Sequence, residues 1–283
     1  MMLGILARDG GTVLWNDRPL NTDTCNVGYL AEERGLYPKY DLMDQLVYFA
    51  SLRGVDRAEA RKRIKYWAER LEVGEYLYPQ MPKPAPEQAL LGGRKRRPVM
   101  ARQKIQKPKK ADQLSKGNQQ KIQMIASLVH DPEVIIFDEP FSGLDPVNMQ
   151  MVIRLLQELR DAGKCILVSS HQLPLIEQVC EDICIINRSK QVYYGPLEAL
   201  KARYGERFVR FSTAGGALPT GLAAEEVGAN QYKVRLGTRE NPSFHDVLQK
   251  LVEAQVPVDA LERSQESLQE IFLNLVGEEG VEA

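Results

Sequence analysis

Residues 134–137 are an unbroken apolar run, Val-Ile-Ile-Phe, that ends directly in Asp138-Glu139-Pro140. A run of this length without polar alternation reads as a strand covered on both faces, which calls for helices above and below a mostly parallel sheet. Ionised carboxylates at the carboxyl end of such a strand are costly to desolvate. They need a cation or a reacting water to offset that cost. The flanking sequence agrees with a layered α/β arrangement. Met149 to Ala162 has helical periodicity closed by Gly163, Cys165 to Ser169 reads as a second buried strand, Leu173 to Cys180 as a helix and Ile183 to Asn187 as a third strand.

Upstream, Gly11 to Leu14 is extended, Asn16-Asp17 is a turn pair and Val27 to Leu30 is a short strand, so a small sheet is expected first. Helical spacing follows at Leu42, Leu46, Phe49 and Ala50, then at Ile64, Trp67, Ala68 and Leu71. From Pro79 to Lys110 the pattern breaks: six prolines, Gly92-Gly93 and the run Arg94-Lys95-Arg96-Arg97 contain one acid, Glu87. These residues read as a mobile insertion, a solvated loop rather than an RNA- or lipid-binding arm, since the aromatics needed for base stacking are missing. Beyond Arg203, alternation at Phe208–Ser212 and Tyr232–Leu236 predicts half-buried strands. A helix striped by Phe244, Val247, Leu248, Leu251 and Val252, a strand from Val256 to Leu261 and a last helix striped by Leu268, Ile271, Phe272 and Leu275 complete an α+β domain. The expected division is 1–202 and 203–283, with the insertion at 79–110.

With 283 residues and a formal charge of -1, no global field drives the chain onto nucleic acid or an anionic membrane. No stretch approaches eighteen consecutive apolar residues and the first residues carry no basic leader, so neither a membrane span nor a secretory signal is expected. Cys25, Cys165, Cys180 and Cys184 suit a reduced, cytosolic protein. The Cys180/Cys184 pair is expected to be buried packing rather than a metal site.

Three further segments carry chemistry. Leu114-Ser115-Lys116-Gly117-Asn118-Gln119-Gln120 opens the helix before the acidic strand, with Ser115 as amino-cap and Gly117 leaving bare backbone, which makes an anion site. Ser142-Gly143-Leu144-Asp145-Pro146 is a turn after the acidic pair, and Ser169-Ser170-His171 ends the next strand, at the same carboxyl edge.

The ordered set LSKGNQQ, VIIFDEP, SGLD and SSH resembles the nucleotide-binding domain of ATP-binding cassette (ABC) transporters, a P-loop NTPase-like α/β fold. The resemblance covers Met1 to about Gly277 apart from the proline-rich segment. It implies that Ser115, Gly117 and Gln119 belong to the signature motif that meets ATP on an opposite subunit, and that Asp138 holds Mg²⁺. It further implies Glu139 as the catalytic base, Asp145 as the acid crossing a dimer interface and His171 as the switch histidine on the γ-phosphate. Lys116 stands where glycine is commoner. Glu32, after Val27-Gly28-Tyr29-Leu30-Ala31, stands where the family's metal-ligating glutamine is expected; its oxygen can still ligate Mg²⁺, but it adds negative charge.

Glu-Glu-Arg-Gly-Leu-Tyr at 32–37 and Ser-Leu-Gln-Glu-Ile-Phe at 267–272 resemble the subgroup that powers sodium or drug export with ABC-2 type permeases. The implied protein is a cytoplasmic subunit, peripheral on the inner face of the membrane, paired with a permease and a second nucleotide-binding subunit, with no nucleic-acid partner. A G-x-x-x-x-G-K-S/T phosphate loop does not occur in these residues. Met1 to Leu6 resembles the helix that follows such a loop, so the natural chain is expected to start upstream and to hydrolyse ATP when complete. The alternatives are a degenerate subunit that lends its signature motif to a partner, and a nucleic-acid-associated ATPase of the same superfamily.

Overall fold

The computed structural model describes residues 2–5, 7–20, 25–33, 35–78, 108–205, 207–215, 218–219 and 221–278. Of the proline-rich segment, 79–107 lie outside the described residues. The chain divides into two compact units, 1–171 and 172–283.

In the first unit β1 (Leu14–Trp15) and β2 (Arg18–Pro19) form a hairpin whose Asn16 and Asp17 both take positive φ, 50° and 60°. This is the left-handed pair that a two-residue turn requires, and Asn and Asp tolerate it. The expected helix at Met1–Leu6 is corrected: residues 2–5 are turn and bend, and Gly4 at φ 74° cannot continue a right-handed helix. β3 (Val27–Leu30) leads to α1 (Leu42–Leu52), α2 (Arg57–Arg70) and the short α3 (Gly74–Leu77). Asp41 and Asp56 cap α1 and α2, each accepting two backbone N–H groups. Leu42, Leu46 and Ala50 of α1 and Ile64 and Ala68 of α2 are fully buried with Leu71, as their spacing predicts.

α4 (Lys116–Leu128) then feeds β4 (Val134–Asp138), α5 (Pro146–Asp161) and β5 (Cys165–Ser169). These strands make a parallel sheet in the order β3-β4-β5, with Leu30 opposite Phe137 and Asp138 opposite Ser169. Thus β3 belongs to the central sheet and not to a separate small one. Val134 to Phe137 are all buried, as a strand covered on both faces should be. β5 differs from the expected buried strand: Cys165, Leu167 and Ser169 are exposed, because among the described residues β5 is an edge strand paired on one side alone.

The second unit holds α6 (Leu173–Val179), then β6 (Asp182–Asn187) and β7 (Lys190–Pro196). β6 is not a third parallel strand; it pairs antiparallel with β7, because Arg188 and Ser189 at φ 46° and 64° turn the chain straight back. The two-residue period puts Ile183 and Ile185 inside and Cys184 out, so the expected burial of Cys184 is also corrected. After α7 (Leu197–Tyr204) come β8 (Arg207–Thr213), β9 (Glu225–Gly228), β10 (Gln231–Arg235), α8 (Phe244–Glu253), β11 (Val258–Gln265) and α9 (Leu268–Glu278). The strands form an antiparallel sheet ordered β11-β8-β10-β9. Val209 and Phe211 of β8 pack with Val234, Val247 and Leu251 on the α8 side, while Arg210 pairs with Glu270 of α9. No described helix is long and apolar enough to cross a membrane.

Candidate functional site

Parallel strands deliver their following loops to one edge of the sheet. Here that edge receives Ala31-Glu32 after β3, Asp138-Glu139 from β4 and Ser169-Ser170-His171 from β5. Alternate residues of an extended strand point to opposite faces, and the chain departs from this at Glu139, which turns into the left-handed region at φ 47°. Its N–H donates to the Ser169 carbonyl at 2.9 Å, so the strand-to-loop corner is fixed by its neighbour.

The Glu139 carboxylate is held on both oxygens. Oε1 accepts from the His171 backbone N–H at 2.8 Å and lies 2.7 Å from His171 Nδ1; Oε2 accepts from Ser170 Oγ at 3.1 Å. Glu139 is mostly buried (13% of its side chain exposed) while His171 is 78% exposed. With Nδ1 committed to the carboxylate, the outward nitrogen Nε2 is the one that can meet a ligand. Asp138 Oδ1 accepts from Ser169 Oγ, which leaves its second oxygen for a cation or water.

Ser115 caps α4, its Oγ accepting from Asn118 N–H at 3.3 Å, and Ser115 and Lys116 are exposed. Immediately beneath, a Cβ on Gly117 would sit 2.7 Å from the Gly143 carbonyl oxygen, so the start of α4 and the 142–145 turn touch backbone to backbone. Gly143 itself stands at φ 72°. Asp145 caps α5: its Oδ1 accepts from Asn148 N–H at 2.9 Å and its Oδ2 from Asn148 Nδ2 at 2.6 Å. Those bonds, the backbone one foremost, hold its carboxyl below the ordinary aspartate range.

The structure therefore brings Glu139 and His171 into contact, sets Asp138 beside Ser169, and joins Gly117 to the turn that carries Asp145. It does not gather Glu32 with them: Glu32 is exposed, and among the described residues no three His, Cys, Asp or Glu converge as a metal site. Gln119 turns inward, 7% exposed, where Nε2 donates to the Ala111 and Leu114 carbonyls at 2.7 and 3.0 Å. It braces the approach to Ser115 and does not face solvent. Gln120, the last residue of the LSKGNQQ segment, and Lys121, unremarked in the sequence, complete the arrangement. Gln120 Nε2 donates to the Glu139 carbonyl at 3.2 Å, and Lys121 reaches the α5 start. Three consecutive long polar residues at 119–121, all buried in the first turns of one helix, was the available signal.

Comparison with known proteins bears on the family and the fold. A family model described as an AAA domain (AbiEii toxin, Type IV TA system) matches residues 33–177, and one described as ATP-binding protein DrrA1-3-like, C-terminal domain, matches residues 195–276. The ABC transporter ATP-binding protein BpOF4_11395 of Alkalihalophilus pseudofirmus is 32% identical over 98% of this chain and 93% of its own length. YhaQ of Bacillus subtilis, another ABC transporter ATP-binding protein, is 40% identical over 74% of this chain, a match that spans 60% of YhaQ. The Linearmycin resistance ATP-binding protein LnrL of Bacillus subtilis is 24% identical over 98% of this chain and 84% of its own. A solved ATP-binding subunit of an ABC transporter shares the fold at a TM-score of 0.56 and 21% identity, covering 72% of this chain and 74% of that one. The chain belongs to the ABC transporter ATP-binding protein family.

Proposed function

We propose that this chain is the ATP-binding subunit of an exporter, coupling ATP binding and hydrolysis to movement through a separate ABC-2 type permease. The observation that carries the reading is the Glu139 carboxylate, pinned by His171 and Ser170 one residue beyond Asp138. Glu139 orients the attacking water and accepts its proton. His171 holds that carboxylate through Nδ1 and presents Nε2 to the terminal phosphate. Ser115 and the bare backbone at Gly117 offer an anion the amino end of α4, and Asp145 reaches toward a second subunit.

Magnesium fits the donors present, because it commonly takes one or two carboxylates and completes its shell with waters and phosphate oxygens. Asp138, supported by Ser169, would hold it; when bound it would neutralise charge on the phosphates. The names of relatives linked to linearmycin resistance and fluoroquinolone export support an export role.

The exposure of Ser115 and Lys116 at the capped start of α4 favours a second reading, in which Ser115 and Gly117 act on ATP cradled by a partner subunit. One experiment addresses both. Phosphate release is measured for the chain with its permease, alone and mixed with an intact homologous subunit, for the parent and Glu139→Gln. Loss of about 10²–10⁴-fold in turnover with ATP binding retained is expected. Unchanged turnover overturns the base assignment, and turnover confined to the mixture selects the second reading.

A further inference from the structure

Lys121 is 4% exposed within α4, an expensive place for an ammonium. Burial pulls its pKa down, and the nearby Glu72, Asp145 and Glu75 carboxylates pull the other way. Its Nζ donates to Asn148 Oδ1 at 3.0 Å, and Asn148 in turn gives both its backbone and its side-chain N–H to Asp145. A lysine has donors and no acceptor, whereas a side-chain amide has one end of each kind. The ammonium therefore fixes which way round the Asn148 amide lies: oxygen toward α4, nitrogen toward Asp145. The reversed amide would set its carbonyl against the carboxylate.

We propose that Lys121 is a positioning residue that fixes the Asp145 carboxylate through the Asn148 amide, making the Ser115–Gly117 turn and the Asp145 turn one rigid element. The Gly117–Gly143 backbone contact supplies the other point of attachment; two attachments prevent the turn from rotating about either one. The proposal rests on the reading that Ser115 and Asp145 both face a nucleotide held across a subunit boundary, since a shared rigid body would then transmit displacement at one to the other.

The test is the carbon-detected titration of the Asp145 carboxyl in the full chain, for the parent, Lys121→Met and Lys121→Arg. Methionine matches the stem and volume and removes the donor. The Asp145 pKa is expected to move up toward the ordinary 3.8 in Lys121→Met and to stay low in Lys121→Arg. An identical titration in the parent and Lys121→Met overturns the proposal. Should Lys121→Met fail to fold cooperatively, Asn148→Ala at the accessible end of the relay gives the reciprocal reading. The Lys121 pKa then falls further as its acceptor goes, and an unchanged Lys121 titration is equally fatal. Neither readout needs nucleotide, so a chain that hydrolyses nothing leaves this inference standing or falling on its own.

Discussion

β4 and β5 lie side by side in register and each hands chemistry-bearing residues to the same sheet edge, yet they are held very differently. Among the described residues β4 has a strand on both sides and its apolar residues are all buried; β5 is paired with β4 alone and shows Cys165, Leu167 and Ser169 to solvent. The acidic pair therefore stands on a strand paired on both sides, and His171 follows one with less support. The bonds from Glu139 to Ser169, Ser170 and His171 work in that direction: the well-supported corner steadies the weaker one. Rigidity at this edge is lent across the sheet, not built into each strand.

The comparison breaks most visibly under core truncation. Phe137, with no exposed surface, should cost about 3–5 kcal/mol when replaced by alanine. Leu167→Ala on β5, where the side chain is 44% exposed, should cost well under half as much. Urea unfolding monitored by circular dichroism decides it, and equal costs would mean that the outer face of β5 is covered in the native assembly. A smaller effect is expected at the joint between α4 and the 142–145 turn. Gly117→Ala drives a Cβ to within 2.7 Å of the Gly143 oxygen, and overpacking of this kind costs about 1–3 kcal/mol. A thermal midpoint unchanged from the parent would show that the turn yields freely.

The smallest expected effect sharpens the other side of the comparison, where β3 meets β4. His130 is buried with Nε2 3.1 Å from the Val27 carbonyl. Burial, opposed in part by that hydrogen bond, holds its pKa below the ordinary 6.5. The unfolded chain thus binds a proton at a pH where the folded one does not, so stability is full above about pH 6.5 and is lost as pH falls from there through the folded pKa. Urea midpoints at pH 7.5 and 5.5 should differ in the parent, and His130→Asn should flatten the difference. A parent midpoint that does not fall on acidification would remove His130 as a contributor.

Much of the fold was legible because periodicity reports burial directly. The VIIF run and the last helix lie where their apolar residues demand, and α8 follows its stripe in part: Val247 and Leu251 are buried while Leu248 and Val252 are exposed. What periodicity cannot report is which neighbour a strand will find. Cys165-Ile-Leu-Val-Ser looks as apolar as a central strand and is an edge one, and Ile183–Asn187 folds back on its own hairpin. Glu225–Gly228 carries no alternation and was invisible as β9. At the candidate site, the acidic pair, Ser115, Gly117, Asp145 and His171 stood out by residue type and order. Gln119 stood out with them but as a nucleotide contact, whereas it is buried, and the bracing roles of Gln120 and Lys121 did not stand out, because in one dimension they look like the solvated face of a helix. They are buried because tertiary neighbours close over them: Gln119 bonds the Ala111 and Leu114 carbonyls, Gln120 the Glu139 carbonyl and Lys121 the Asn148 amide.

The described residues on either side of the basic segment have a consequence for its history. Lys109 N–H donates to the Tyr76 carbonyl at 3.1 Å, its ammonium lies over the Tyr76 ring, and Tyr76 Oη accepts from Asn118. Exit and return thus coincide. When the two ends of a connection already meet, lengthening it costs closure entropy of about 0.6 kcal/mol for each doubling. Sequence can be gained or shed between Tyr78 and Pro108 almost without thermodynamic penalty, which makes this a place where members of one family can diverge in length while the helices on either side keep their register.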